Sequence, residues 1–130
     1  MAAELPDRAQ AYLTQALESV HSPAGCIMLA ASAVDAMLKE KNYSSGTLNA
    51  RINQARDDHL ITAGMADWAH AIRLDANAQR HADDSEPLPN EDDARRILDF
   101  SEALAQFLYV LPALVEHGTS TNDSEGPSPS

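Results

Sequence analysis

The chain is predicted to be all-α, an up-and-down bundle of about five helices, and three observations carry that expectation. Apolar residues recur at spacings of three and four, the period of a helix with one buried face. The composition holds 44% hydrophobic residues, many of them alanine, with 5% aromatics; closely packed helices suit it, whereas a sheet draws on β-branched and aromatic side chains. Prolines and short Ser, Gly and Asn clusters fall where that periodicity breaks. At 130 residues there is material for one core and too little for two.

Taken in order, Asp7 is expected to cap a first helix of roughly residues 8–20, with Tyr12, Leu13, Ala16, Leu17 and Val20 inward. Ser22-Pro23 ends it and offers both a cap and a first-turn proline to the next helix, roughly 23–41. There Cys26, Ile27, Ala30, Ala33, Val34, Met37 and Leu38 form a wide apolar band dense in small residues, which predicts close packing. After NYSSGT, Thr47 opens a third helix of about three turns with Leu48, Ile52 and Ala55 inward. A fourth helix is expected as one piece from near Gly64 to about His81, followed by a loop, ADDSEPLPN, with two prolines. Asn90, with Asp93 at the third helical position, caps a fifth and longest helix, and Glu91, Asp92 and Asp93 sit where a helix N-terminus favours negative charge. Its buried side is read as Ile97, Phe100, Leu104, Leu108 and Leu111, extended by Phe107, and the helices over 65–81 and 90–111 are expected to be the central pair. Pro112 has no amide hydrogen and should kink or end that helix, with PALVEH continuing beyond the kink. From Gly118 the segment GTSTNDSEGPSPS has almost no apolar content, so the domain is drawn at 1–117 and a disordered tail at 118–130.

The net charge is −11 and the pI near 4.6. Such acidity argues against broad electrostatic binding to nucleic acid or an anionic membrane. A contact with RNA or a nucleotide would be local, at Arg51 with Arg56, Arg73 with Arg80, or Arg95 with Arg96. Cys26 is the only cysteine, so the chain has neither an internal disulfide nor a thiolate zinc cage, and a reducing cytoplasm fits. The start, MAAELPDRAQ, lacks the character of a signal peptide, and no uninterrupted apolar run approaches the roughly 20 residues of a membrane span. No glycine-rich phosphate loop, HExxH or G-x-S-x-G is present, so no cofactor is expected. His59, His70 and His81, with Asp83, Asp84 and Glu86, do not have zinc-site spacing, and no metal is expected either.

One stretch carries chemistry: Trp68 to His81, WAHAIRLDANAQRH. Arg73, Asn77 and His81 recur at i, i+4 and i+8 and would line one side of a continuous helix. On the helical wheel Met65, Trp68, Ala69 and Ala76 group with Ile72 as the core stripe, and the polar set falls opposite. That set can be a solvated face, a polar seam between two subunits, or a nucleotide-handling site. Ala66 falls on the same side and would allow close approach of a second helix. Ala66, His70, Arg73 and Asn77 are therefore the candidate dimer interface, and Arg73, Asn77 and His81 the candidate catalytic or binding set.

The run IRLDANAQRH, the acidic loop leading into PLPNEDDARRILDF, and the apolar helix ending in FLYVLP resemble the restriction-associated helical domain of unknown function, placed in the HEPN superfamily of nucleotide-binding helical bundles. The resemblance spans roughly Ala24 to His117. Its most specific parts are Arg73, Asn77 and His81 and the ending Tyr109, Val110, Leu111, Pro112. Ala76 stands where the family pattern has glycine before the Asn, and the seven residues between Arg73 and His81 exceed the spacing of the catalytic HEPN ribonucleases. The resemblance implies a homodimer with its polar motif at the two-fold interface, acting with a restriction or phage-defence partner as an interaction or nucleotide-sensing module. It also implies an alternative, a metal-independent endoribonuclease in which Arg73 stabilises phosphate charge, His81 transfers protons and Asn77 orients them. The chain's acidity and the long Arg-to-His spacing favour the module.

Overall fold

The computed structural model describes residues 4–79 and 87–125, all helix, turn and coil with no strand among them. The elements are α1 (Asp7–Leu17), α2 (Pro23–Glu40), α3 (Leu48–Asp57), α4 (Ala63–Ala71), α5 (Leu74–Gln79), α6 (Glu91–Ala105) and α7 (Leu111–Glu125). A π-helical turn, Gln106–Val110, joins α6 to α7 without a break. Counting that rod once gives six helices, one more than expected, because the anticipated fourth helix is two.

The centre of the bundle is α2, which packs chiefly against α1 and α6; of the two helices expected to be central, the one from Asn90 holds such a place as α6, and the one from Met65 does not. Its alanines explain this: Ala30 and Ala33 are fully buried beside Cys26, Val34, Met37 and Leu38, and small side chains let neighbouring axes approach. Two polar groups are built into the contact. The Cys26 thiol donates to the Ala16 carbonyl at 3.3 Å, and its burial pushes the thiol pKa up. The fully buried Ser101 hydroxyl lies 2.8 Å from the Ile97 carbonyl and 3.2 Å from that of Ala30, tying α6 to α2. Farther along, the Tyr109 hydroxyl donates to a Glu40 carboxylate oxygen at 2.6 Å.

Most helix starts follow the sequence reading. Thr47 Oγ1 accepts from the Ala50 amide at 3.1 Å, Thr62 Oγ1 from that of Met65 at 3.0 Å. Asn90 and Asp93 form a reciprocal capping box at 2.9 and 3.0 Å. The first helix differs: Pro6 is its N-cap, Asp7 lies inside the first turn, and the helix ends at Leu17, short of residue 20. Ser19 offers the reason, since its hydroxyl bonds back to the Gln15 carbonyl at 2.7 Å and competes with continuation. Ser22 occupies the cap position of α2 without a side-chain bond, and Pro23 takes the first turn as expected.

Arg51, read from sequence as part of a basic surface spot, is buried. Its guanidinium reaches an Asp35 carboxylate oxygen on α2 at 2.6 Å and the Tyr43 carbonyl at 3.3 Å, so it locks α3 to α2.

The rod does not stop at Pro112. A proline there withdraws the N–H that would bond the Leu108 carbonyl, and the wider turn just upstream, closed by the Leu111 amide on the Gln106 carbonyl, takes up the mismatch. Leu111 emerges exposed, against the expectation that it is buried. Helix also continues past Gly118 to Glu125, beyond the boundary drawn from composition. Residues 114–120 are all exposed, so helical backbone outlasts packing here. Over 91–120 the rod is long and apolar enough, by length and composition, to cross a membrane. Yet 44% of that apolar window is buried inside the bundle, with Ile97, Phe100 and Leu104 in the core.

Candidate functional site

The stretch expected to be one helix is broken between Ile72 and Arg73. Ile72 closes α4, and Arg73 takes a left-handed backbone at φ 55°. That conformation costs a non-glycine residue roughly 1–2 kcal/mol. The fold meets the cost through Asn77, whose Nδ2 donates to the Ile72 carbonyl at 2.9 Å and the Arg73 carbonyl at 3.1 Å. The Asn77 amide also bonds the Arg73 carbonyl at 2.8 Å, starting α5, and the Arg73 amide bonds that of His70 at 3.0 Å. Asn77 is thus the clasp of the break, and its amide group is committed to backbone. The break turns Leu74 fully into the core.

This rearranges the polar set singled out in sequence, as far as its residues are described. Arg73 is exposed and makes no side-chain hydrogen bond or ion pair among the described residues; Asn77 is half-buried; His81, like Arg80, lies outside the described residues. Ala66 is 0% exposed and sits in the chain's own core with Ala69. The His70 ring bonds Asn53 of α3 at 2.8 Å. Ala66, His70, Arg73 and Asn77 therefore do not share an outward face, since the first three point to core, to α3 and to solvent respectively. The wheel reading gave the core to the largest apolar residues. In the structure Ala66 and Ala69 of α4 face inward, while Trp68 stands half out of the surface with its ring edge-on to Phe100, centroids 5.3 Å apart.

What the break does build is a hollow of about 330 Å³ lined by Ala71, Ile72, Arg73, Asn77, Asp93 and Arg96. Asp93 is held by the capping box and by Arg96, 3.3 Å away. Two guanidinium groups and one carboxylate give the hollow a net positive charge in a chain of net charge −11. In sequence Arg73 pairs with Arg80 and Arg96 with Arg95; only the fold brings Arg73 and Arg96 around one cavity. A partial signal was present, because the Asn90–Asp93 box places Arg96 three residues on, over the same turn of α6. The described lining contains no histidine, so a proton-transfer group is not among these residues. Among the described residues no three His, Cys, Asp or Glu side chains gather as a metal site.

The fold and site define an all-helical bundle with a small basic hollow at a helix break. Residues 14–122 match the family model of DUF4145, a domain of unknown function, and the chain belongs to that family. No curated protein and no solved structure matched the chain.

Proposed function

We propose that this DUF4145 protein is a HEPN-like cytoplasmic module of the restriction and phage-defence type, which binds a nucleotide or an RNA phosphate locally and relays that to a protein partner without turnover. The observation that carries the reading is the hollow at the α4–α5 break, where Arg73 and Arg96 supply local positive charge in a chain of net charge −11. The commitment of Asn77 to the backbone favours binding over catalysis, since its amide group is not spare to orient a reacting phosphate.

The test measures nucleotide and single-stranded RNA binding by calorimetry beside RNA cleavage in EDTA, for wild type, Arg73→Ala, Arg96→Ala and His81→Ala. Charged hydrogen bonds contribute about 1.5–3 kcal/mol, so loss of either arginine should weaken binding by about tenfold or more, with no cleavage in any sample. Cleavage leaving 2′,3′-cyclic phosphate ends and lost in Arg73→Ala and His81→Ala would replace this reading with the ribonuclease. Absence of both binding and cleavage would remove the ligand from it.

A further inference from the structure

Four of the seven large hydrophobic side chains exposed among the described residues lie on or beside the α6–α7 rod. Trp68 is 37% exposed, Leu111 49%, Leu114 62% and Val115 61%. Phe107, Leu111, Leu114, Val115 and Gly118 follow at i, i+4, i+7, i+8 and i+11, a continuous stripe along one side of the rod. Two shallow hollows flank it. One, of about 420 Å³, is walled by Met65, Trp68, Ala103, Gln106, Phe107 and Leu111. The other, of about 540 Å³, runs from Lys41, His59 and Leu60 past Phe107 and Pro112 to Val115 and Glu116. Meanwhile α7 packs substantially only on the π turn that leads into it. An isolated helix of fifteen residues is marginal in water, so its apolar stripe wants a partner.

We infer that the partner is a second copy of this chain, with the two rods pairing antiparallel about a two-fold axis near Leu111 and the Leu111–Leu114–Val115 ridge of each copy seated in the hollows of the other. Three features select a second copy over a foreign protein. The ridge and the hollows are contiguous on one surface and share Leu111 and Val115, as an isologous interface requires, where the same patch is both knob and hole. The charged residues around the larger hollow are of both signs, Lys41 against Glu116, so that Glu116 of one copy can face Lys41 of the other. The exposed area of the four residues comes to on the order of 400 Å², which with its polar rim approaches the roughly 800 Å² per partner of a standard interface, about 60% of it apolar. At the stripe's end Gly118 has no atom within 4 Å of where a Cβ would stand, leaving room for a neighbouring backbone.

This face is independent of the basic hollow, so the inference stands or falls apart from the proposed function. Trp68, the only tryptophan, lies in the flanking hollow and reports on it directly. Sedimentation and tryptophan fluorescence would be followed on the full chain from about 1 µM to about 500 µM, the range in which an interface of this size associates. The expected result is a monomer–dimer transition accompanied by a blue shift of Trp68 emission, with both weakened at least tenfold in Leu114→Asp and in Val115→Asp. Both variants lie on fully solvated turns and should keep the wild-type helical circular dichroism. Because each copy carries a net charge of −11, raising the salt should strengthen the dimer, as expected of apolar contacts opposed by like charge. A chain that stays monomeric throughout, or a dimer that survives both substitutions with unshifted Trp68 emission, would overturn the inference.

Discussion

The two halves of the α6–α7 rod carry their large apolar side chains to opposite fates. In α6, Ile97, Phe100, Ser101 and Leu104 are sealed against α2; in α7, Leu111, Leu114 and Val115 face water. Periodicity separates them only in part: the apolar residues of α6 recur along its length from Ala94 to Ala105, whereas those of α7 gather in its first five residues and end at Val115. What also differs is the opposing surface: α2 presents Ala30 and Ala33 to α6, close enough for a serine hydroxyl to reach a backbone carbonyl, and nothing among the described residues presents such a face to α7. A helix stripe therefore tells that a partner is wanted and leaves open whether it comes from the same chain.

The strongest way to break that comparison is at its packed half. Phe100→Ala removes a fully buried ring that also meets Trp68 edge-on, and should cost about 3–5 kcal/mol in urea unfolding. A cost below about 1 kcal/mol would mean that α6 is no better packed than α7.

The next effect tests the lock of α3 onto α2. Burial alone would raise the Asp35 carboxyl, but hydrogen bonds and charge from Lys39 and Arg51 outweigh it and hold its pKa below the ordinary value. A depressed carboxylate pKa contributes stability that is complete above the unfolded value, near 3.9, and is lost as the pH falls through the folded value. Asp35→Asn should therefore cost about 1–2 kcal/mol at neutral pH, less than a fully enclosed pair because Asp35 is one-third exposed. The gap from wild type should narrow as the pH falls below about 4. A gap that does not change with pH would show that the carboxylate's charge is not what locks α3.

Smaller again is the clasp. Asn77→Ala should cost about 1 kcal/mol by leaving the Ile72 and Arg73 carbonyls without its amide group. An unchanged unfolding curve would return Asn77 to the role of a solvated polar residue.

The smallest effect belongs to the open half of the rod. Deleting residues 118–130, or replacing Leu114 with Asp, should shift the stability of the monomer by no more than about 0.5 kcal/mol, measured near 1 µM so that association does not contribute. A larger loss would show that α7 packs within its own chain.

Much of this molecule could be read from residue order. Fold class, the capped starts of α3 and α6 and the close packing of α2 are local matters: Thr47 and Asn90 choose their backbone partners within three residues, and the alanine band of α2 repeats at the helical period. The α4–α5 break was not legible in the same way, because a left-handed Arg73 is locally unfavourable and only the Asn77 amide and the burial of Leu74 make it worthwhile. The wheel that placed Ala66 outside and Trp68 inside failed for a related reason: size predicts what gains by burial, whereas the distance between α4 and its neighbours decides which side chains fit. By itself, then, the sequence determined a helical bundle, its caps and its acidic charge, all set by contacts between near neighbours or by composition. Tertiary structure alone decided that Arg73 meets Arg96, that Arg51 is spent on Asp35 and that the end of the rod is left open, because each depends on which surfaces the chain's own packing uses up.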